Sequence, residues 1–221
     1  MNDIFLTMDK IELIKTIPDV FANRADLASD VWNQDIVFEK GKTYLVEANS
    51  GTGKSSLCSF IYGYRKDYQG QILFDGVDTR NFSISQWTDI RKRHFSLMWQ
   101  ELRLFPELTA MENVIIKNKL TGKQKKKRIL EWFDMLGISE KVDSPLGLMS
   151  FGQQQRVALI RSLCQPFDFL FIDEPISHLD DTNSDIMGRI ILDEAMKQGA
   201  GVISTSIGRH IEMDYDKVLN L

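Results

Sequence analysis

The sequence predicts an α/β fold with a largely parallel central sheet. Three observations carry that expectation. Short apolar runs that read as buried strands recur along the chain: Thr43-Tyr44-Leu45-Val46, Phe169-Leu170-Phe171-Ile172 and Val202-Ile203-Ser204-Thr205. Stretches with helical apolar spacing lie between them, so strands alternate with helices. One strand-to-helix junction is rich in glycine, Ser50-Gly51-Thr52-Gly53-Lys54-Ser55.

From the N-terminus, residues 1–47 read as strand-rich, with runs such as Ile11-Glu12-Leu13-Ile14 and Asp35-Ile36-Val37-Phe38 split by the turn Glu39-Lys40-Gly41-Lys42. A helix is predicted over about 55–62. A small strand pair is predicted around Asp75-Gly76. Residues 106–148 are mostly helical, with Ile129, Trp132, Phe133 and Leu136 on one face. Helices follow over 150–165 and 181–197, and residues 217–221 form a last short strand.

The 221 residues are enough for one large domain with a sizeable core. The formal net charge of −4 gives no global basic field, which argues against a nucleic-acid partner. The basic run Lys123, Lys125, Lys126, Lys127 and Arg128 is local and reads as a solvated helix start. Cys58 and Cys164 sit in apolar stretches and read as buried thiols. His94, His178 and His210 lack metal-ligand spacing. The N-terminus does not read as a signal peptide, and no apolar run approaches the roughly 20 residues that span a bilayer. Any membrane role is therefore expected to come through a partner.

The glycine-rich junction has the context of a phosphate-binding loop. Glycines let backbone N–H groups turn inward, and the helix N-terminus adds partial positive charge. Asn49, Ser50, Gly51, Thr52, Gly53, Lys54, Ser55 and Ser56 are the candidate ATP-binding residues. Lys54 would reach the β- and γ-phosphates, and the Ser55 hydroxyl would ligate Mg²⁺. Ala48 stands where such loops usually carry their first glycine, so a negative φ is expected there. Downstream, Asp173-Glu174 ends an apolar strand, at the edge where ligands bind in open α/β sheets. Asp173 would hold Mg²⁺, and Glu174 would polarise the attacking water as general base.

Between these motifs lies Met149-Ser150-Phe151-Gly152-Gln153-Gln154-Gln155-Arg156, which resembles the signature of ABC-type ATPases, LSGGQ followed by QQR. Gln100 resembles that family's Q-loop glutamine, and Ser177-His178-Leu179-Asp180 its D-loop. The stretch Leu104 to Val114 is similar to that of lipoprotein-release and macrolide-exporter ATPases. Phe21 resembles the aromatic that stacks on adenine, and reads equally well as a core aromatic. The resemblance implies a P-loop NTPase core with a mostly parallel sheet, an N-terminal antiparallel β subdomain and an α-helical lobe inserted at about 88–160, all in one domain spanning 1–221. It implies ATP hydrolysis by a dimer, as homodimer or heterodimer, in which Ser150, Gly152, Gln153 and Asp180 face the nucleotide of the other subunit. Gln100 would contact the Mg²⁺ site and link it to the lobe. A transmembrane permease subunit would be the driven partner, with the ATPase cytoplasmic and peripheral on the inner face of the membrane. Leu104, Phe105 and Leu108 read as docking residues or as lobe core.

Two departures from the pattern stand out. Phe151 replaces a signature glycine, and Ser206 occupies the place of the switch histidine. Both point to slow turnover, or to function as one half of an asymmetric site, with Ser206 a shorter, uncharged stand-in in the catalytic set. His210, four residues later, is not expected to substitute. An iron–sulfur-assembly type of ABC ATPase and an ATP-gated dimerisation module share the same nucleotide motifs.

Overall fold

A computed structural model describes residues 7–24, 28–49, 51–174 and 181–221. Its elements run β1 (Lys10–Pro18), β2 (Asp35–Glu39), β3 (Thr43–Glu47), α1 (Lys54–Ile61), β4 (Tyr68–Phe74), β5 (Val77–Asp78), α2 (Ile84–Arg93) and β6 (Phe95–Met98). There follow α3 (Ala110–Asn118), α4 (Lys126–Met135), α5 (Phe151–Ser162), β7 (Phe169–Asp173), α6 (Asp181–Gln198), β8 (Gly201–Ser206) and β9 (Lys217–Asn220).

Two sheets form. The N-terminal one is antiparallel, in the order β2-β1-β4-β5. In β2 the alternation shows why it has one wet face: Ile36 and Phe38 are buried while Asp35, Val37 and Glu39 are exposed. β1 carries a bulge between Ile14 and Ile17, with Lys15 at φ 47°. Gly70 faces that bulge, where a Cβ would lie 2.2 Å from the Lys15 carbonyl oxygen. Only glycine permits this approach. The second sheet is parallel, in the order β6-β7-β8-β3-β9. β7 and β8 are buried along their whole length, as the continuous apolar run of β7 requires.

The two sheets meet through aromatic rings. Phe95 of β6 packs edge-on against Phe74 of β4 at 5.1 Å and Phe171 of β7 at 5.2 Å. A second core lies on the other side of the parallel sheet, where α3, α4 and α5 bury Val114, Ile129, Trp132, Phe133, Val157 and Ile160 together with Ile172 and Met187. Capping boxes start α2 (Ser83 with Gln86), α3 (Thr109 with Glu112) and α5 (Ser150 with Gln153), each satisfying two otherwise orphaned backbone donors. Strand β6 lies inside the 88–160 stretch expected for the helical lobe, yet pairs with β7 in the central sheet. Cys58 and Cys164 are buried free thiols, and Lys125, Lys126 and Lys127 are exposed at the start of α4, as expected.

Candidate nucleotide site

The C-terminal ends of β3, β8, β7 and β6 lie along one edge of the parallel sheet, and the chain places its candidate chemistry there. The loop after β3 turns into α1 through Gly51 (φ 81°) and Gly53 (φ 100°), conformations that L side chains rarely adopt. Gly53 is the N-cap of α1 and brings no side-chain cap, which leaves the first helical N–H groups for a bound anion. Ala48 is not among the residues with positive φ, in line with the sequence expectation, and it packs on the core beneath the loop. Asn49 takes the Thr52 hydroxyl on its carbonyl at 2.8 Å, and the Ser56 hydroxyl accepts from Arg65 at 2.9 Å. Ser50 and Asp180 lie outside the described residues.

Two aromatics brace this loop from below. Phe21 is buried, with Arg24 over its ring at 4.7 Å. A Cβ on Gly53 would lie 3.1 Å from Phe21 Cε2 and 3.2 Å from Trp32 Cζ2. Trp32 also donates its indole N–H to the Thr52 carbonyl at 2.9 Å. Trp32 was not among the sequence candidates, since nothing in its spacing relates it to residues 20 positions away.

Opposite the loop stands the acidic pair. The buried Asp173 accepts from the Thr205 hydroxyl at 2.6 Å and from Ser55. Its carboxyl is held above the ordinary 3.8, chiefly by burial; the hydrogen bonds from Thr205 and Ser55 oppose the rise, the neighbouring Glu174 charge adds to it, and Lys54 opposes it. Glu174 is gripped from two sides: Lys54 Nζ lies 2.8 Å from one oxygen, and Gln100 Nε2 donates to the other at 2.9 Å. Its φ of 48° is strained for a non-glycine residue, by about 1–3 kcal/mol. The Glu174 N–H is fixed on the Thr205 carbonyl at 3.2 Å. Lys54, Ser55, Gln100, Asp173 and Glu174 therefore converge as the sequence motifs imply, and Thr205 joins them unpredicted.

Other candidates make different contacts; the Ser206 carbonyl accepts from the Ala48 N–H at 3.0 Å, beside the phosphate loop. The Ser206 hydroxyl is buried and donates to the Arg209 carbonyl at 2.7 Å, so it holds a turn. His210 faces Glu47 at 3.9 Å and packs on Tyr215. Ser150, Gly152 and Gln153 begin α5 on the helical lobe, with Gln153 and Ser150 bonded to each other. Phe151 beside them is 41% exposed.

The residues fit a nucleoside triphosphate with Mg²⁺. The first N–H groups of α1 have no side-chain cap, the buried Lys54 ammonium stands beside Glu174, and Ser55 and Asp173 offer hard oxygen donors side by side. Mg²⁺ is typically held by one or two carboxylates together with phosphate oxygens, and this donor set suits it.

Comparisons with known proteins bear on the same residues. The ABC transporter family profile matches residues 33–177. The chain is 35% identical over 173 residues to the uncharacterized ABC transporter ATP-binding protein YclH of Bacillus subtilis, covering 76% of this chain and 75% of that one. It is 28% identical over 224 residues to the lipoprotein-releasing system ATP-binding protein LolD of Legionella pneumophila, covering 100% of this chain and 96% of that protein. It is also 28% identical to the macrolide export ATP-binding/permease protein MacB of a Shewanella species, of whose length the match spans 28%. The dimeric structure of the bacterial ABC transporter cassette MJ0796 superposes with a TM-score of 0.75 at 24% identity, covering 89% of this chain and 87% of that one.

Proposed function

The chain belongs to the ABC transporter family, as one of its ATP-binding, ATP-hydrolysing subunits, and from that premise we propose how its residues divide the work. The carrying observation is the grip of Lys54 and Gln100 on Glu174, directly beside the Ser55–Asp173 pair. Lys54 and the α1 N-terminus bind the phosphates, and Phe21, buried in the core with Arg24 over its ring, supports the loop from beneath. Ser55 and Asp173 would hold Mg²⁺, with Gln100 beside them, and the ion would neutralise phosphate charge there. Glu174 takes the proton of the attacking water, and Gln100 orients it.

The arrangement favours action as a head-to-tail dimer with a second copy or a related subunit. In that dimer Ser150, Gly152 and Gln153 at the start of α5 address the γ-phosphate of the other subunit, an anion at a helix N-terminus, together with Asp180. The chain forms one domain, with its helical lobe built after β6. A membrane-embedded permease is the driven partner, and the subunit lies on the cytoplasmic face, touching the membrane only through that partner. Among the described residues no helix is long and apolar enough to cross a membrane.

The test is phosphate release by the purified chain and its Glu174→Gln variant. Turnover should fall by about 10²–10⁴-fold, while the variant, unable to hydrolyse, accumulates as an ATP-bound dimer on size exclusion. Unchanged turnover would remove Glu174 from the base role.

A further inference from the structure

Immediately after Gln100 the backbone enters a turn of unusual geometry. Leu102 and Arg103 are consecutive non-glycine residues with positive φ, at 58° and 48°. The Arg103 N–H reaches back to the Glu101 carbonyl at 2.6 Å, an i→i+2 bond closed over the positive φ of Leu102, which is the strained hand of the γ-turn. Neither residue is of a type that tolerates this region well. The turn persists because it is held from several sides. Leu102 is buried in the lobe core, and the Arg103 guanidinium lies 3.7 Å over the Trp99 ring. Both carbonyls are taken by one side chain: Arg161 near the end of α5 donates to the Leu102 oxygen and to the Arg103 oxygen, each at 2.6 Å. Arg161 itself is largely buried, which lowers its pKa to about 10 and leaves it cationic at neutral pH. Its neighbour Lys117 on α3 is lowered to about 8 by burial and by the Arg161 charge.

We infer that Arg161 is a positioning residue for hydrolysis: its forked guanidinium clamps the strained turn behind Gln100, and through it fixes Gln100 on Glu174. The planar fork satisfies two carbonyls at once, a task a lysine ammonium performs poorly. The same helix carries Ser150 and Gly152 at its other end, so a shift of α5 acts on Gln100 through this clamp. The inference rests on the assignment of Gln100 to the hydrolytic site.

The experiment measures kcat and KM for ATP in the full chain and in Arg161→Gln, Arg161→Lys, Gln100→Ala and the double variant Arg161→Gln with Arg103→Gly. Arg161→Gln should lower kcat about 10- to 100-fold, the scale of a displaced positioning group, with KM changed by less than about twofold. Arg161→Lys should fall between it and the native chain. Glycine at 103 adopts positive φ without help, so the double variant should recover most of the lost kcat. A role for Arg161 confined to the packing of α5 would not be rescued by a glycine in the Leu102–Arg103 turn, whose carbonyls Arg161 clamps. Native kcat in folded Arg161→Gln, or no recovery in the double variant, overturns the clamp while a low kcat in Gln100→Ala leaves the site assignment standing. Native kcat in Gln100→Ala removes the assignment beneath it. Failure of all the Arg161 variants to fold makes Arg161 a folding residue and overturns the proposal as well.

Discussion

Replacing Thr205 by Val tests whether the buried carboxylate of Asp173 depends on its neighbour on β8. Thr205 and Asp173 sit opposite each other in the parallel register, and both are buried. Valine keeps the branched shape that suits the strand and removes only the hydroxyl that donates to Asp173 at 2.6 Å. A hydrogen bond to a charged group contributes about 1.5–3 kcal/mol, and that is the expected loss near pH 7. Asp173 titrates above the ordinary 3.8 in the folded chain, because burial outweighs the hydrogen bonds from Thr205 and Ser55. Its contribution to stability is thus fully present below the unfolded value and is lost as the pH rises through the folded one. Removing the Thr205 hydroxyl mainly raises the free energy of the anion and drives that folded value higher still. The deficit of Thr205→Val is therefore full where Asp173 is ionised, and shrinks as the pH falls through the raised folded value. Urea unfolding of both proteins at neutral and acidic pH measures it. A difference below about 0.5 kcal/mol at neutral pH, or one independent of pH, refutes the reasoning.

Gly53→Ala should abolish tight ATP binding by calorimetry, since its Cβ would meet Phe21 and Trp32 at 3.1 and 3.2 Å in a loop held at φ 100°. Trp32→Phe keeps an aromatic under the loop but removes the bond to Thr52; a loss of about 1 kcal/mol would weaken ATP binding about fivefold in the same assay. At the opposite end of the sheet, burial raises the pKa of Asp168, but hydrogen bonds from His94, Lys40 and the Met8 N–H outweigh it and hold the carboxyl below 3.8. That stability is present above the unfolded pKa and lost as the pH falls through the folded one. Asp168→Asn should accordingly cost about 1–3 kcal/mol in urea unfolding at pH 7, and less as acid protonates the native Asp168.

Much of the architecture was legible because its signals are local. The apolar run of β7, the glycine junction before α1 and the Ser150 cap of α5 each declare an element within a few residues. The elements the sequence reading passed over, α2 and β6, have weaker local signals. α2 offers only the Ser83–Gln86 capping box and two buried side chains, Trp87 and Ile90, and β6 only four residues. In the site, the sequence names motif residues but not the side chains that support them. Trp32, Thr205 and Arg161 act across 20, 32 and 58–59 positions, distances at which no periodicity speaks. Ser206 shows the converse: a position that fits the motif order can spend its hydroxyl on a nearby carbonyl.

The distribution of backbone strain separates scaffold from machinery. Six non-glycine residues with positive φ are found among the described residues: Lys15, Asn33, Asp75, Leu102, Arg103 and Glu174. The first three have local reasons. Lys15 sits in the β1 bulge, and Asn33 and Asp75 are of types that tolerate this region in turns. The other three are not of such types, yet they are linked through Gln100, which bonds Glu174 and precedes the Leu102–Arg103 turn. Such conformations persist only where surrounding contacts over-determine them. Here those contacts come from different parts of the fold: Lys54 from the phosphate loop, the Thr205 carbonyl from β8 and Arg161 from α5. Movement of the phosphate loop relative to α5 is therefore expected to change the load on Glu174, which would tie the proposed general base to the position of the helical lobe.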